Sequence, residues 1–223
     1  MFGKAECHYV HVQLEDELAR VLPADIPHRD RLITKAAQHL RLVSSANEYT
    51  NLTRITNPHE AVIKHVYDSV APWRYLRDFK KVLDAGTGAG FPGIPLAIVL
   101  PETRFTLSES VQKKARFVDS VAEQLILPNV HVLGDRAEVA ATAARPDVIV
   151  ARAVAPIRRL LDLFRKVLMD GTSVILYKGP NVDDELAEAA RRHYAARLLC
   201  AYELPDGLGS RTVIELKARA LRR

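Results

Sequence analysis

The sequence predicts an α/β fold: a seven-stranded, mostly parallel, Rossmann-like sheet flanked by helices, with an N-terminal helical extension. Three observations predict it. From Lys81 onward, short apolar runs rich in Val, Ile and Leu alternate with segments of helical period, as parallel strands joined by right-handed crossovers require. A glycine-rich turn, Gly86-Thr87-Gly88-Ala89-Gly90, follows the first of these runs and leads into a helix. The last two strands have only the region of Leu204-Pro205-Asp206-Gly207 between them. That link is too short for a crossover, so an antiparallel hairpin closes one edge.

Taken in order, Leu14, Leu18, Val21 and Leu22 keep helical spacing until Pro23 ends the run. Leu32, Ile33, Ala36, Ala37, Leu40 and Val43 mark one face of a second helix, with Arg29, Arg31, Lys35 and Arg41 largely off it. Residues 47–53 are polar and turn-prone, and Asn57-Pro58 opens a third helix expected to run through His65 to about Tyr75. The strands are then predicted at 82–84, 105–109, 130–133, 148–151, 173–178, 197–203 and 212–217. Helices are predicted between them at 92–100, 111–125, 137–144, 156–168 and 183–193. The one candidate boundary lies near 76–80, dividing an extension, 1–79, from the sheet-bearing core, 80–223. The tail, 219–223, is basic and is expected to be mobile.

Composition narrows the function classes. The chain has 223 residues, 48% of them apolar and 26% charged, the range of a soluble globular protein. No apolar run reaches the roughly 18 residues of a membrane span, and the acidic N-terminus lacks the layout of a secretion signal. A cytoplasmic protein that uses no membrane is expected, and a monomer. Cys7 and Cys200 form no metal or redox spacing, and His8 and His11 have no further ligands near them. No metal is expected. The net charge of +5 favours a polyanionic partner without demanding one.

The glycine turn carries the chemistry. Glycines at 86, 88 and 90 allow positive φ and close approach of a ligand. A dinucleotide fingerprint would place its last glycine where Phe91 stands, which argues against a nicotinamide-linked oxidoreductase. Asp84 before the turn, with the three glycines, resembles motif I of class I S-adenosylmethionine methyltransferases. Glu109 ends the next strand, where a carboxylate can accept hydrogen bonds from both ribose hydroxyls.

Several segments together resemble the bacterial small-subunit rRNA guanine-N7 methyltransferases, the RsmG family, also called GidB. These are Asn51-Leu52-Thr53, His65-Val66-Tyr67-Asp68-Ser69, the run from Asp84 through Phe91-Pro92-Gly93 to Leu96, Glu109-Ser110 with Lys113-Lys114, Arg136-Ala137-Glu138, Ala151-Arg152-Ala153-Val154-Ala155 and Tyr177-Lys178-Gly179. The resemblance implies a class I methyltransferase fold with S-adenosylmethionine as cofactor. It implies that Gly86, Gly88 and Phe91 of the turn meet the cofactor, that Glu109 holds its ribose, that Ala137 and Glu138 lie beside the adenine, and that Arg152 lines the pocket near the methyl group. The implied substrate is 16S rRNA within the small ribosomal subunit. Where the family often has Glu-Arg-His near the last strand, this chain has Ser210-Arg211-Thr212.

Arg152, Lys178 and Arg211 fall at or near strand ends and are expected to hold the RNA. Structural alternatives stand beside these readings: Arg152 paired with a carboxylate such as Glu138, Lys178 as a solvated strand end, Phe91 as plain core, His65 as a hydrogen-bonding structural histidine. Guanine N7 carries a lone pair and no proton, so its methylation needs alignment rather than a general base, and no catalytic side chain is assigned. Two other readings are a class I methyltransferase acting on a protein or small molecule and a non-catalytic RNA-binding protein.

Overall fold

The computed structural model describes residues 14–152 and 155–219. The expectations for Cys7, His8, His11 and the last four residues of the tail lie outside them. Residues 14–21 are helical (α1). There follow α2 (Arg29–Thr50), α3 (Pro58–Ala61), a π-helical turn (Val62–Tyr67), α4 (Asp68–Val70) and a 3₁₀ turn (Trp73–Tyr75). The sheet region runs β1 (Lys81–Ala85), α5 (Gly93–Val99), β2 (Arg104–Ser108), α6 (Gln112–Gln124), β3 (Val130–Leu133), α7 (Ala137–Ala144) and β4 (Val148–Arg152). It continues through α8 (Ile157–Leu163), α9 (Arg165–Met169), β5 (Ser173–Lys178), α10 (Asp183–Arg191), β6 (Tyr194–Glu203) and β7 (Ser210–Ala218).

The seven strands form one sheet in the order β3-β2-β1-β4-β5-β7-β6, and only β7 runs antiparallel to its neighbours. β1 pairs with β2 on one side and β4 on the other. The strand order therefore reverses there, and the crevice outside the carboxyl ends of β1 and β4 is where open α/β sheets take ligands. One apolar cluster joins Leu18, Leu32, Ala36, Val43, Val62 and Val66 of the N-terminal helices to Ile94, Phe105 and Val150. A second, with Leu83, Ile149, Phe164 and Leu176, lies among residues of the central strands and α7 to α9.

Three helices depart from the sequence expectation. α2 continues through the polar residues 47–50 and stops where Asn51 takes a left-handed conformation, φ 52°. The helix expected over 58–75 starts as predicted, with the Asn57 side chain accepting from the Glu60 N–H, but is broken into four pieces. At its centre the Asp68 N–H bonds back five residues to the Ile63 carbonyl, a wide turn of a kind that recurs at functional sites. The helix expected over 156–168 divides at Phe164, whose ψ of 12° interrupts the helical path. His193, at φ 62°, lies just beyond α10, and β6 starts at Tyr194, ahead of its predicted position.

Candidate active site

Burial organises the turn after β1. Asp84 is fully buried, and its Oδ2 accepts from the Thr87 hydroxyl at 2.6 Å and the Gly93 N–H at 2.8 Å. Burial lifts this carboxyl to about 6 from its ordinary 3.8. The turn is tied to β2 by the Thr87 N–H on the Ser108 carbonyl, 3.0 Å. Gly88 takes φ +61° with nothing within 4 Å of the place a Cβ would occupy, so the backbone conformation, not space, selects glycine. At Gly90 both matter: φ is +96°, and a Cβ would lie 2.9 Å from Ile94 and 3.1 Å from the His39 ring.

Glu109 follows β2 directly and is 8% exposed. One carboxylate oxygen accepts from the Gly88 N–H at 3.2 Å and the other from the Val111 N–H at 2.8 Å. A carboxylate has about four lone-pair sites, so both oxygens keep acceptor capacity. Beside it lies a cleft of about 320 Å³ whose lining includes Gly86, Ser108, Ser110, Ala137, Glu138 and Ala155. The structure thus gathers Gly86, Ala137 and Glu138 around one space. Gly88, Phe91, Glu109 and Arg152 are not part of that lining, although Glu109 and Gly88 are bonded to each other at the same turn.

Phe91 is 6% exposed and stacks on two histidines: His39 with ring centroids 4.4 Å apart, and His65 at 4.5 Å. Burial holds both imidazoles neutral, His39 at about 4 and His65 at about 3, with Arg152 a lesser cause at His65. His39 Nε2–H donates to the Ala89 carbonyl at 2.8 Å, which fixes its tautomer. His65 Nε2 meets the Thr53 hydroxyl at 3.0 Å, so this histidine has the structural hydrogen bond expected of it. His39 went unread in the sequence, yet the signal was there. Leu32, Ala36, His39, Val43 and Ala46, at steps of four, three, four and three, are all buried.

The arginines meet at a residue that the sequence reading gave no role. Asp68 is 1% exposed; its Oδ2 accepts from Arg152 Nη1 at 3.3 Å and Arg211 Nε at 3.0 Å, and its Oδ1 from the Tyr202 hydroxyl at 2.9 Å. Burial first, and then the Asp68 charge, keep the Tyr202 phenol well above its ordinary value, so it stays a donor. The carboxylate paired with Arg152 is therefore Asp68. Glu138 instead has Arg136 at 3.9 Å. Register puts Arg152, Tyr177 and Val213 side by side, and Arg211, two residues from Val213 on β7, shares their face.

Lys178 has the opposite parity. Its Nζ pairs with Glu185 of α10 at 2.8 Å and approaches the Ala155 carbonyl at 3.4 Å. All three cationic residues thus stand at the carboxyl edge, since antiparallel β7 begins there. Two of them converge on Asp68, and Lys178 lies on the other face of the sheet.

A family model described as rRNA small subunit methyltransferase G (GidB) matches residues 32–203. A ribosomal RNA small subunit methyltransferase G from Solibacter usitatus is 53% identical over 206 residues, 91% of this chain and 98% of the relative. A protein of the same name from Carboxydothermus hydrogenoformans is 40% identical over 191 residues, 81% of this chain and 80% of the relative. Among solved structures, magnesium protoporphyrin IX methyltransferase from Synechocystis PCC 6803 with bound SAM superposes with a TM-score of 0.58 at 12% identity, over 81% of this chain and 97% of that one. MtNAS in complex with MTA and tNA gives 0.55 at 15% identity, over 93% and 87%. At such identities the likeness shows the fold alone.

Proposed function

Because the chain belongs to the rRNA small subunit methyltransferase G family, we propose that it transfers the methyl group of S-adenosylmethionine to N7 of a guanine in 16S ribosomal RNA. The observation that carries the site reading is Glu109. It is a buried carboxylate directly after β2, fixed by the Val111 N–H and by the Gly88 N–H of the turn that follows β1, with lone pairs to spare. Those lone pairs suit two vicinal ribose hydroxyls. The cofactor fits the residues present: Gly86, Ala137 and Glu138 surround a cleft beside Glu109 that can take the adenine, and Gly88 presents no Cβ. When bound, S-adenosylmethionine supplies a sulfonium methyl group that an aromatic nitrogen lone pair can take directly.

The residues of this chain then have three tasks. Glu109 and the turn orient the donor, and the Asp84 clip holds the turn rigid through Thr87 and Gly93. Phe91, clamped between two neutral rings, gives that turn an apolar backing without adding charge beside Arg152. Arg152 and Arg211 bind the RNA, through a phosphate or the guanine O6, and so align N7 with the methyl group. No proton leaves N7 before attack, so alignment is the main catalytic demand on the protein.

The proposed substrate is the rRNA within the small ribosomal subunit, acted on by a monomeric enzyme in the cytoplasm. Among the described residues no helix is long and apolar enough to cross a membrane. The test is to incubate the protein and methyl-labelled S-adenosylmethionine with naked 16S rRNA, and separately with small subunits, both lacking the modification, and then to map N7-methylguanine by chemical cleavage. One labelled guanine that cleaves is expected in the subunits. Absence of label from both substrates would overturn the assignment, and label confined to naked rRNA would overturn the assembled substrate.

A further inference from the structure

We propose that Asp68 is the positioning residue of the substrate side: its buried carboxylate, aimed by the π-helical turn before it, sets the two RNA-facing arginines. The proposal rests on the reading of Arg152 and Arg211 given above. Three side chains far apart in sequence, Arg152 on β4, Tyr202 on β6 and Arg211 on β7, all end on this one carboxylate. The segment around it helps. The Lys64 carbonyl accepts from Arg152 Nη1 at 2.9 Å, the Ser69 hydroxyl stands 3.4 Å from the same nitrogen, and the Tyr177 hydroxyl donates to the Ser69 carbonyl at 3.0 Å.

Geometry leaves both arginines half spent. Among the described residues Arg152 engages its partners through Nη1, and Arg211 through Nε and Nη1, the latter on the Ser210 carbonyl at 3.1 Å. Nε and Nη2 of Arg152 and Nη2 of Arg211 remain as donors, on side chains 14% and 26% exposed. Two guanidiniums on one carboxylate keep a net positive charge at the carboxyl edge, which matches a phosphate or a purine oxygen. Fixing these long side chains before the RNA arrives removes an ordering cost from binding. The wide turn is what makes this possible. With its N–H bonded to Ile63 rather than four residues back, Asp68 stands with its carboxylate toward the strand ends and not out to solvent.

The test compares D68N with the wild type on unmodified small subunits. D68N preserves shape and one acceptor but removes the charge. We expect the KM for the subunit to rise about tenfold or more, the scale of losing a charge-assisted contact, with S-adenosylmethionine affinity by calorimetry within about twofold. In an R211A background D68N should cost well under half of what it costs alone, because the two act as a unit. Unchanged KM, full additivity with R211A, or an equal loss of cofactor affinity would each overturn the positioning role. Should D68N not fold, Y202F, which removes only the hydroxyl on Oδ1, should raise KM a few-fold, and no change overturns the proposal. A wild type that methylates no rRNA at all would instead count against the functional reading itself.

Discussion

Acidification should strip stability from this protein chiefly through His39 and His65. Burial holds their folded-state values at about 4 and about 3, against an ordinary 6.5. As pH falls below 6.5 the unfolded chain takes up protons that the folded chain refuses, so stability is full above that point and drains away below it. From about pH 7 to about pH 5, each histidine should cost about 2 kcal/mol. Asp84 opposes them: its carboxyl, lifted from 3.8 to about 6 by burial, is protonated in the folded state first and returns about 1 kcal/mol over the same window. The net loss is about 2–3 kcal/mol. In H39F one stacked ring replaces another and one titration disappears, so the loss should shrink to under about 1 kcal/mol. Urea unfolding at the two pH values, followed by the fluorescence of Trp73, the single tryptophan, reads this directly. H39F also forfeits the bond to the Ala89 carbonyl and will be weaker at pH 7. The predicted quantity is the difference between the two pH values, which that loss does not enter. Equal losses in wild type and H39F would refute the claim that His39 is buried in its neutral form.

Two further outcomes test the site itself. Replacing Glu109 by Ala removes the proposed ribose acceptor and strands the Gly88 and Val111 N–H groups; S-adenosylmethionine affinity should fall about 10- to 100-fold by calorimetry, and an unchanged affinity would remove Glu109 from the proposed cofactor site. K178A should raise the KM for the ribosomal subunit at least about threefold less than R211A does, because the Lys178 ammonium is already met by Glu185 on the opposite face; equal effects would mean that this pairing opens when RNA binds.

The sheet was legible because its signal is local. Runs such as Val148-Ile149-Val150-Ala151 and Ser173-Val174-Ile175-Leu176 are buried on both faces and read as strands wherever they stand. The glycine turn was legible because its positive φ at Gly86, Gly88 and Gly90 favours glycine, and the position of Glu109 was legible as the end of a β-rich run, where the structure bonds it to the Gly88 N–H. What stayed hidden was decided by contacts between distant parts of the chain. Nothing within residues 58–75 announces a π-helical turn. An α-helical continuation would satisfy that stretch by itself, and the wider turn makes sense only once Arg152, Tyr202 and Arg211 arrive 84, 134 and 143 residues later. The same holds for a buried aspartate, which looks in sequence like any polar residue on a helix. Lys178 is the opposite case. Tyr177 and Lys178 are neighbours on one strand and must face opposite ways, so only one of them could share a face with Arg152. The register opposite Arg152 falls on Tyr177, and Lys178 stands at the same sheet edge as the arginines with its ammonium turned away from them.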